Sequence, residues 1–481
     1  MLSAADVAKH NSSDSCWIIV DGQVYDVTEF LHEHPGGSAI ILKYAGRDAT
    51  EAYEPIHPPS ALDDNLPPEK RLGKVDPLTI VKDVAKVPQP ASQVQPLVKF
   101  SLSQMISLHD FEEAAQENLS KKAWAYFSSG ATDQITLAMN QSVYQKVFFQ
   151  PRTMVDVSSV STKSTMLGHP VDIPIFICPT GMAKLSHPTG EVSFAKAAEA
   201  YGIMFMMSTN ASSSVSDVVK ARTSKPAPPC FFQLYVNRDR SKSEALVKNV
   251  TASGKFGAIV VTVDAHVAGK READEKVKAE VVLESGITGT GTAPDAKGGG
   301  IGRAMGGYID PSFSWADLPW VRSLSHLPLG LKGVQTVEDV IKAVKLGVEL
   351  IYLSNHGGRA LDTAPPALLV LLSLRKHHPW VFDRAEIYID GGIRRGTDVV
   401  KALCLGAKAV GLGRPFLYAL SYGLEGVEKA IEVLRDEVET TMQLLGVTSI
   451  DQLGPHLLNT KALEPLIPDP PILSASIRAR L

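Results

Sequence analysis

From Ile173 onward the chain alternates short, unbroken apolar runs with helical stretches, and this rhythm constrains its 481 residues more than any other feature. Eight runs stand out: residues 173–181 (IPIFICPTG), 204–210 (MFMMSTN), 230–236 (CFFQLYV), 258–264 (AIVVTVD), 329–334 (LGLKGV), 350–357 (LIYLSNHG), 386–392 (EIYIDGG) and 409–415 (AVGLGRP). Runs with so little polar alternation are what parallel strands covered on both faces require. Between them, Thr336 and Asp339 have the spacing of a capping box, and Thr397 is placed to cap a helix through Leu405 that stops at Gly406. Eight strand–helix units in about 250 residues predict an α/β chain built on a (β/α)₈ barrel. A doubly wound sheet is less well matched, because no G-x-G-x-x-G follows the first run.

Each run ends in polar or glycine residues: Thr180, Asn210, Gln233 with Tyr235, Thr262 with Asp264, Lys332, Asn355 with His356, Asp390 to Gly392, and Gly413 with Arg414. Barrel enzymes carry their chemistry at the C-terminal ends of the strands. Any one of these residues could be ordinary loop chemistry, but eight in the same place predict an active site.

A separate module precedes the barrel. In the segment SCWIIVDGQVYDVTEFLHEHPGG, a strand-like run leads to His34-Pro35-Gly36-Gly37, and AGRDATEAYEPIH then ends at His57. Two imidazoles can ligate one haem iron from opposite faces and leave no position for oxygen, which suits electron transfer. The segment resembles the cytochrome b5 family across most of residues 1–75. The resemblance implies haem b with His34 and His57 as axial ligands and a small α+β fold. No C-x-x-C-H occurs, so covalent haem attachment is not expected. His10 and His32 are read as structural.

The barrel region resembles the FMN-dependent 2-hydroxy-acid dehydrogenases and oxidases over roughly residues 100–450. The motifs that carry this are Ser354-Asn355-His356-Gly357-Gly358-Arg359, Asp390-Gly391-Gly392-Ile393-Arg394 and Gly411-Leu412-Gly413-Arg414-Pro415. With the haem module in front, the arrangement resembles the flavocytochrome b2 family of L-lactate:cytochrome c oxidoreductases. His356 is the natural base, since imidazole titrates near neutral pH. Asp264 can orient its ring and stabilise the imidazolium. Arg359 can clamp a substrate carboxylate in a bidentate pair. The resemblance assigns these same roles and adds Tyr126 as a second carboxylate donor, Tyr235 near the substrate hydroxyl, and Arg271 as a mobile charge at the mouth.

For FMN, Asp390, Gly391 and Gly392 with Arg394, and Gly413 with Arg414, follow the seventh and eighth strands, where barrels commonly bind phosphate. Lys332 can set its charge beside the flavin N1 and O2. Thr180, Gln233 and Thr262 can hydrogen-bond the ring, and Ser208 and Ser354 complete the cofactor-binding set. Gly181 stands where relatives usually carry Ala, and Asn210 where many carry a bulky apolar residue, so the substrate pocket should be roomier or more polar than a lactate site. His266 replaces a Pro common two positions after the aspartate, which bears on the start of the loop carrying Arg271.

The expected activity is oxidation of an L-2-hydroxy acid, foremost L-lactate, with electrons passing from FMN through haem b to an acceptor such as cytochrome c. The alternatives are an oxygen-using oxidase and a non-enzymatic haem carrier or sensor. Forty-eight Lys and Arg against 52 Asp and Glu give a net charge of −4, which argues against a nucleic-acid partner. There is no run long enough for a membrane span. Cys16, Cys178, Cys230 and Cys404 are scattered and read as free thiols. The chain divides into a haem domain (1–76), a linker (77–97) that overlaps the proline-bearing stretch from Val75 to Pro96, the barrel (98–450) and a C-terminal tail (451–481) that looks extended. The resemblance implies a homotetramer. The long Gly- and Ala-rich segment between Glu272 and Met305 is expected to be a mobile, protease-sensitive loop. Ala479-Arg480-Leu481 resembles a peroxisomal ending; the alternatives are the mitochondrial intermembrane space and the cytoplasm, with no presequence visible.

Overall fold

A computed structural model describes residues 2–34, 38–42, 44–53, 62, 65–76, 79, 101–222, 227–277, 284–291 and 300–468. The chain divides into two compact units, Met1–Leu97 and Val98–Leu481. His57, most of the 77–97 linker, the Gly-rich core of the loop after Lys276 and the terminal Ala479-Arg480-Leu481 lie outside the described residues.

The first unit has a four-stranded antiparallel sheet of Asn11–Ser12, Ser15–Val20, Gln23–Asp26 and Arg71–Lys74, paired in that order. Its opening helix, Ala4–Val7, is capped as its sequence suggests: the Ser3 hydroxyl accepts from the Asp6 amide at 3.1 Å. Alternate residues of Ser15–Val20 separate two apolar clusters. Cys16, Ile18 and Val20 pack with Tyr25, Val27 and Leu31 on one side, and Ile19 packs with Val7, Val24 and Val75 on the other. Val75 is bridged to Leu2 and buried. The proline-bearing stretch read as beginning at Val75 therefore starts inside this unit. His10 stacks on Trp17 with centroids 3.4 Å apart, and His34 follows the short Glu29–His32 helix with its ring edge-on to Phe30.

The second unit is a closed barrel of eight parallel strands: β1 (Ile175–Ile177), β2 (Met204–Ser208), β3 (Cys230–Leu234), β4 (Phe256–Thr262), β5 (Leu329–Val334), β6 (Leu350–Leu353), β7 (Glu386–Ile389) and β8 (Ala409–Leu412). It closes by pairing β8 with β1, Val410 opposite Ile175 and Leu412 opposite Ile177. Both faces are apolar. Phe176, Met204, Met206, Phe231, Ala258, Val260, Leu350, Tyr352, Tyr388 and Ala409 fill the interior, while their neighbours Ile177, Phe205, Phe232, Ile259, Ile351, Ile389 and Val410 face the helices. This double burial is why the strands read as unbroken runs.

The helix Gly396–Cys404 is capped by a different residue from the one the sequence suggests. Arg395 is the N-cap, its amide donating to Asp398 at 3.1 Å, and Thr397 lies inside the helix. The reason is that the Asp398 carboxylate, three residues on, satisfies the orphan amides of both Arg394 and Arg395. The described part of the tail read as extended, through residue 468, packs onto its own unit: Leu458–Asn459 pairs with Phe148–Phe149, and Leu457 and Leu463 are buried. Within 272–305 the described residues include two short helices, Glu272–Lys276 and Ile301–Gly306.

Candidate active site

The inward side of each strand changes character at its C-terminal end. Stepping by two along the interior phase leads from Phe176 to Cys178 and Thr180, from Met206 to Ser208, from Phe231 to Gln233, from Val260 to Thr262, from Gly330 to Lys332, from Tyr352 to Ser354, from Tyr388 to Asp390 and from Gly411 to Gly413. One further step reaches Asn210, Tyr235, Asp264 and His356. Strand parity therefore aims Thr180, Ser208, Lys332, Asp390 and Gly413 into one cavity and sets Gln233, Thr262 and Ser354 behind its wall. That cavity encloses about 1190 Å³, open mouth included, and is walled by Tyr126, Thr180, Gly181, Ser208, Asn210, Tyr235, Arg271, Lys332, His356, Arg359, Asp390 to Arg394, Gly413 and Arg414.

At its centre, His356 Nδ1 lies 2.9 Å from Asp264 Oδ1, and Nε2 lies 3.4 Å from the Tyr235 hydroxyl. His356 has φ +59°, a conformation costly for a non-glycine residue. Its amide is held by Ser354 Oγ at 3.1 Å. The Asp264 side chain is fully buried and packs over Gly333, where φ is +99° and a side chain would collide with the carboxylate. Burial lowers the His356 pKa and Lys332 and Arg359 lower it further; Asp264 only partly reverses this. Burial pushes the Asp264 carboxyl up, but His356 and Lys332 together hold it below the usual carboxylate range. The result is a neutral ring against an ionised carboxylate. With Nδ1–H directed to Asp264, Nε2 is left as the proton acceptor.

Arg359 and Arg271 both lie against the Tyr126 ring, at 4.9 and 5.5 Å from its centroid. Arg359 donates to the Tyr126 carbonyl, while its Nε is buried without a partner among the described residues. Burial and then the neighbouring Arg271 pull its pKa down to about 9, so it remains cationic at neutral pH. Two half-buried guanidinium groups beside a phenol make a site for a small carboxylate.

The other side of the cavity fits FMN. Lys332 Nζ is 3.2 Å from Ser354 Oγ and 3.9 Å from Asp264 Oδ2, and is almost wholly buried. Thr180 Oγ1 and Asp390 Oδ1 are buried with no partner among the described residues. The other Asp390 oxygen accepts from Tyr352 Oη at 2.7 Å. Gly391 and Gly392 have φ of +98° and +81°, and Gly392 sits so close to the Asn140 backbone that a side chain would not fit. The Arg394 Nε is paired to Glu112 at 3.1 Å. Orphaned hydroxyl and carboxylate oxygens, a glycine cradle and cations at one end suit a ribityl phosphate and a polar ring edge.

Some expected residues sit behind the wall. The Gln233 amide bridges Ser208 and Thr262 at 3.0 and 2.8 Å, so in this structure it braces the floor, with Thr262 and Ser354 beside it. Arg414, itself on the wall, donates to the carbonyls of Phe127, Ser129 and Gly357, tying the end of the helix Lys121–Ser128 to the segment after β6. The Asn210 amide makes one bond on each side, donating to Met305 O at 3.3 Å and accepting from Tyr308 Oη at 2.9 Å. Sequence reading missed Tyr308, the Cys178–Tyr352–Asp390 cluster and the Asn140–Asn355 amide pair (2.9 and 2.8 Å). Parity along β1 and β6 could have found Cys178 and Tyr352. Tyr308 follows the long loop, where no period exists to read.

A family model for FMN-dependent dehydrogenases matches residues 115–460. The chain belongs to the FMN-dependent dehydrogenases. A second model, for cytochrome b5-like haem/steroid-binding domains, matches residues 3–76, so this dehydrogenase carries a haem domain in front of its barrel. The chain is 43% identical to the L-lactate dehydrogenase (cytochrome) of Wickerhamomyces anomalus, covering 95% of this chain and 79% of that protein. It is 38% identical to spinach (Spinacia oleracea) glycolate oxidase over 73% of this chain. Among solved structures, a doubly substituted flavocytochrome b2 with pyruvate bound superposes with a TM-score of 0.70 at 41% identity, covering 82% of this chain and 97% of that one. The dehydrogenase is thus similar along nearly its whole length to a haem-bearing lactate dehydrogenase. Among the described residues no helix is long and apolar enough to cross a membrane.

Proposed function

We propose that this chain oxidises L-lactate, or an L-2-hydroxy acid of similar size, to the 2-oxo acid and delivers the electrons to an external acceptor such as cytochrome c. The observation that carries this reading is the His356–Asp264 pair facing Arg359 and Tyr126 across one cavity. When bound, FMN supplies the two-electron acceptor and haem b, on His34 and His57, the one-electron relay. Arg359 and Tyr126 hold the substrate carboxylate, with Arg271 adding charge from the mouth. The neutral His356 then takes a substrate proton at Nε2, and Asp264 stabilises the imidazolium that forms. Tyr235 hydrogen-bonds the substrate hydroxyl, keeping it aimed at His356. Lys332 places a positive charge opposite, with Ser354 fixing its ammonium. Ser208, Gln233 and Thr262 brace the floor, while Thr180, Asp390, Gly391, Gly392, Arg394, Gly413 and Arg414 shape the cofactor side.

Homotetramerisation, the 1–76, 77–97, 98–450 and 451–481 division, and a peroxisomal address on Ala479-Arg480-Leu481 belong to the same proposal; sedimentation and the location of a tagged chain with and without its last three residues test the first and last. The deciding experiment is the anaerobic visible spectrum of the purified protein before and after L-lactate. Flavin bleaching followed by sharp reduced-haem bands is expected. Bleaching with no haem reduction, and rapid oxygen uptake in air, would overturn the relay in favour of an oxidase. No bleaching with any 2-hydroxy acid would overturn the catalytic reading.

A further inference from the structure

Arg271 reaches the cavity from the start of the short helix Glu272–Lys276. A long cation on such a segment has many rotamers and a solvent-ward alternative, so its inward pose needs a specific cause. Three residues with no role in the proposed chemistry supply one. Lys122 and Tyr126 lie one turn apart on the helix Lys121–Ser128, and Arg271 and Asp274 are spaced to face the same side of theirs. The two helices meet in two rungs. Lys122 Nζ binds Asp274 Oδ1 at 2.8 Å, with Asp274 buried, and the Arg271 guanidinium lies over the Tyr126 ring. The Asp274 carboxylate also accepts the amides of Ile301 and Gly302, at 3.2 and 2.9 Å, which draws the returning end of the loop against the first rung. There Gly302 presents bare backbone to Arg271, and a Cβ at this position would fall on the guanidinium.

We propose that Lys122, Asp274 and Gly302 form a seat that fixes Arg271 inward, making them positioning residues for the substrate carboxylate. Lys122–Asp274 sets the register of Arg271 against Tyr126, and Gly302 provides the space the guanidinium needs. This rests on the functional reading above only in taking Arg271 to contact a 2-hydroxy acid.

The test is a double-mutant cycle between Gly302→Ala and Arg271→Ala in the full-length holoprotein, read by kcat and KM for L-lactate and by calorimetric titration with pyruvate. Gly302→Ala alone is expected to weaken pyruvate binding and lower kcat/KM by about tenfold or more. In the Arg271→Ala background it should change neither by more than about twofold, because the atoms it displaces are gone. Asp274→Asn, which keeps one acceptor oxygen for either the Ile301 or the Gly302 amide but loses the other and the charge partner of Lys122, should give a loss that is also absent in that background. Normal binding and turnover in Gly302→Ala would overturn the seat, as would an equal loss with and without Arg271, which would mean a general disturbance of the loop. If Arg271→Ala is itself impaired while Gly302→Ala is not, the seat fails and the functional reading stands. If the unaltered protein neither binds pyruvate nor oxidises a 2-hydroxy acid, both fail.

Discussion

The lower and upper halves of the barrel interior are built on the same inward strand positions and do opposite work. Below, Phe176, Phe231, Tyr388, Met204 and Met206 form a dry plug, with Phe176 edge-on to Tyr352 at 5.3 Å and Phe231 stacked on Tyr388 at 6.5 Å. Two residues further along these strands stand Ser208, Gln233, Ser354 and Asp390, with Lys332 on β5 beside them, also nearly buried but polar. Burial below stabilises through apolar area and close packing. Burial above costs stability, because it strips water from charges, and that cost is what lowers His356 and Arg359 from their ordinary values. A single fold rule, inward parity, thus yields a rigid base and a strained, reactive rim.

Substitutions at the two levels should therefore separate activity from stability. The largest expected effect is on turnover at the rim. His356→Gln should lower kcat about 10²- to 10⁴-fold while shifting the thermal midpoint little. Asp264→Asn should be comparably damaging, since the ring loses its orienting carboxylate. Steady-state kinetics beside a melting curve check both; a large loss of midpoint with modest loss of kcat would mean that the dyad is structural. The pH dependence sharpens this. The neutral form of His356 is the acceptor, and burial depresses its pKa, so kcat/KM should hold below pH ~6.5 and fall only as pH drops through the lowered value. Between those two values the unfolded chain binds the proton that the folded one refuses, so His356 also costs stability as pH falls. An acid limb at or above pH ~6.5 would contradict a ring lowered by burial.

The plug should behave in the opposite way. Phe231→Ala removes a fully buried ring and should cost about 3–5 kcal/mol of stability, read by chemical denaturation, with kcat little changed in the protein that remains folded. Between the two levels lies Tyr352, whose ring belongs to the plug and whose hydroxyl reaches Asp390 at 2.7 Å. Tyr352→Phe keeps the packing and frees the second Asp390 oxygen. It should weaken FMN retention by about tenfold or more, the lower end of the net value of one buried hydrogen bond to a charged group, and cost less stability than Phe231→Ala. Unchanged FMN content after dialysis would show that Asp390 needs no support from below.

The same contrast explains what was legible in the sequence. All eight strands could be read because both faces of each are apolar, and their polar endings located the cavity. The runs overshot the strands: 350–357, for example, ends as a strand at Leu353, because Ser354 to Gly357 are polar rim, and His356 has left extended geometry altogether. Pairings that depend on closure were not legible. Lys122 and Asp274 are 152 positions apart, and neither shows a local pattern. Thr397 looked like a cap because its competitor, the Asp398 carboxylate, serves amides on its N-terminal side. The tail looked extended because short 3₁₀ turns such as Pro455–Leu457 have no period, yet Leu457 and Leu463 anchor it.

The smallest expected effect concerns the substrate side of the rim, where Gly181 and Asn210 meet. A Cβ at Gly181 would come within 3.1 Å of both Asn210 Cβ and its carbonyl oxygen, so glycine here opens the pocket beside Asn210. The amide of Asn210 is held on both its nitrogen and its oxygen, by Met305 and Tyr308, and its Cβ faces Gly181. The pocket is accordingly wider than it is polar, and length should matter more than hydrogen-bonding capacity. Asn210→Leu fills that space and should shift preference toward lactate over 2-hydroxyoctanoate and mandelate by about tenfold, the usual scale for a methylene or two in an apolar pocket. It also releases the Tyr308 hydroxyl, so a part of any loss common to all three acids reports the loop rather than the pocket; only the ratio of kcat/KM values measures selectivity. Unchanged ratios would place the substrate side chain elsewhere on the rim, against Ala265 to Ala268.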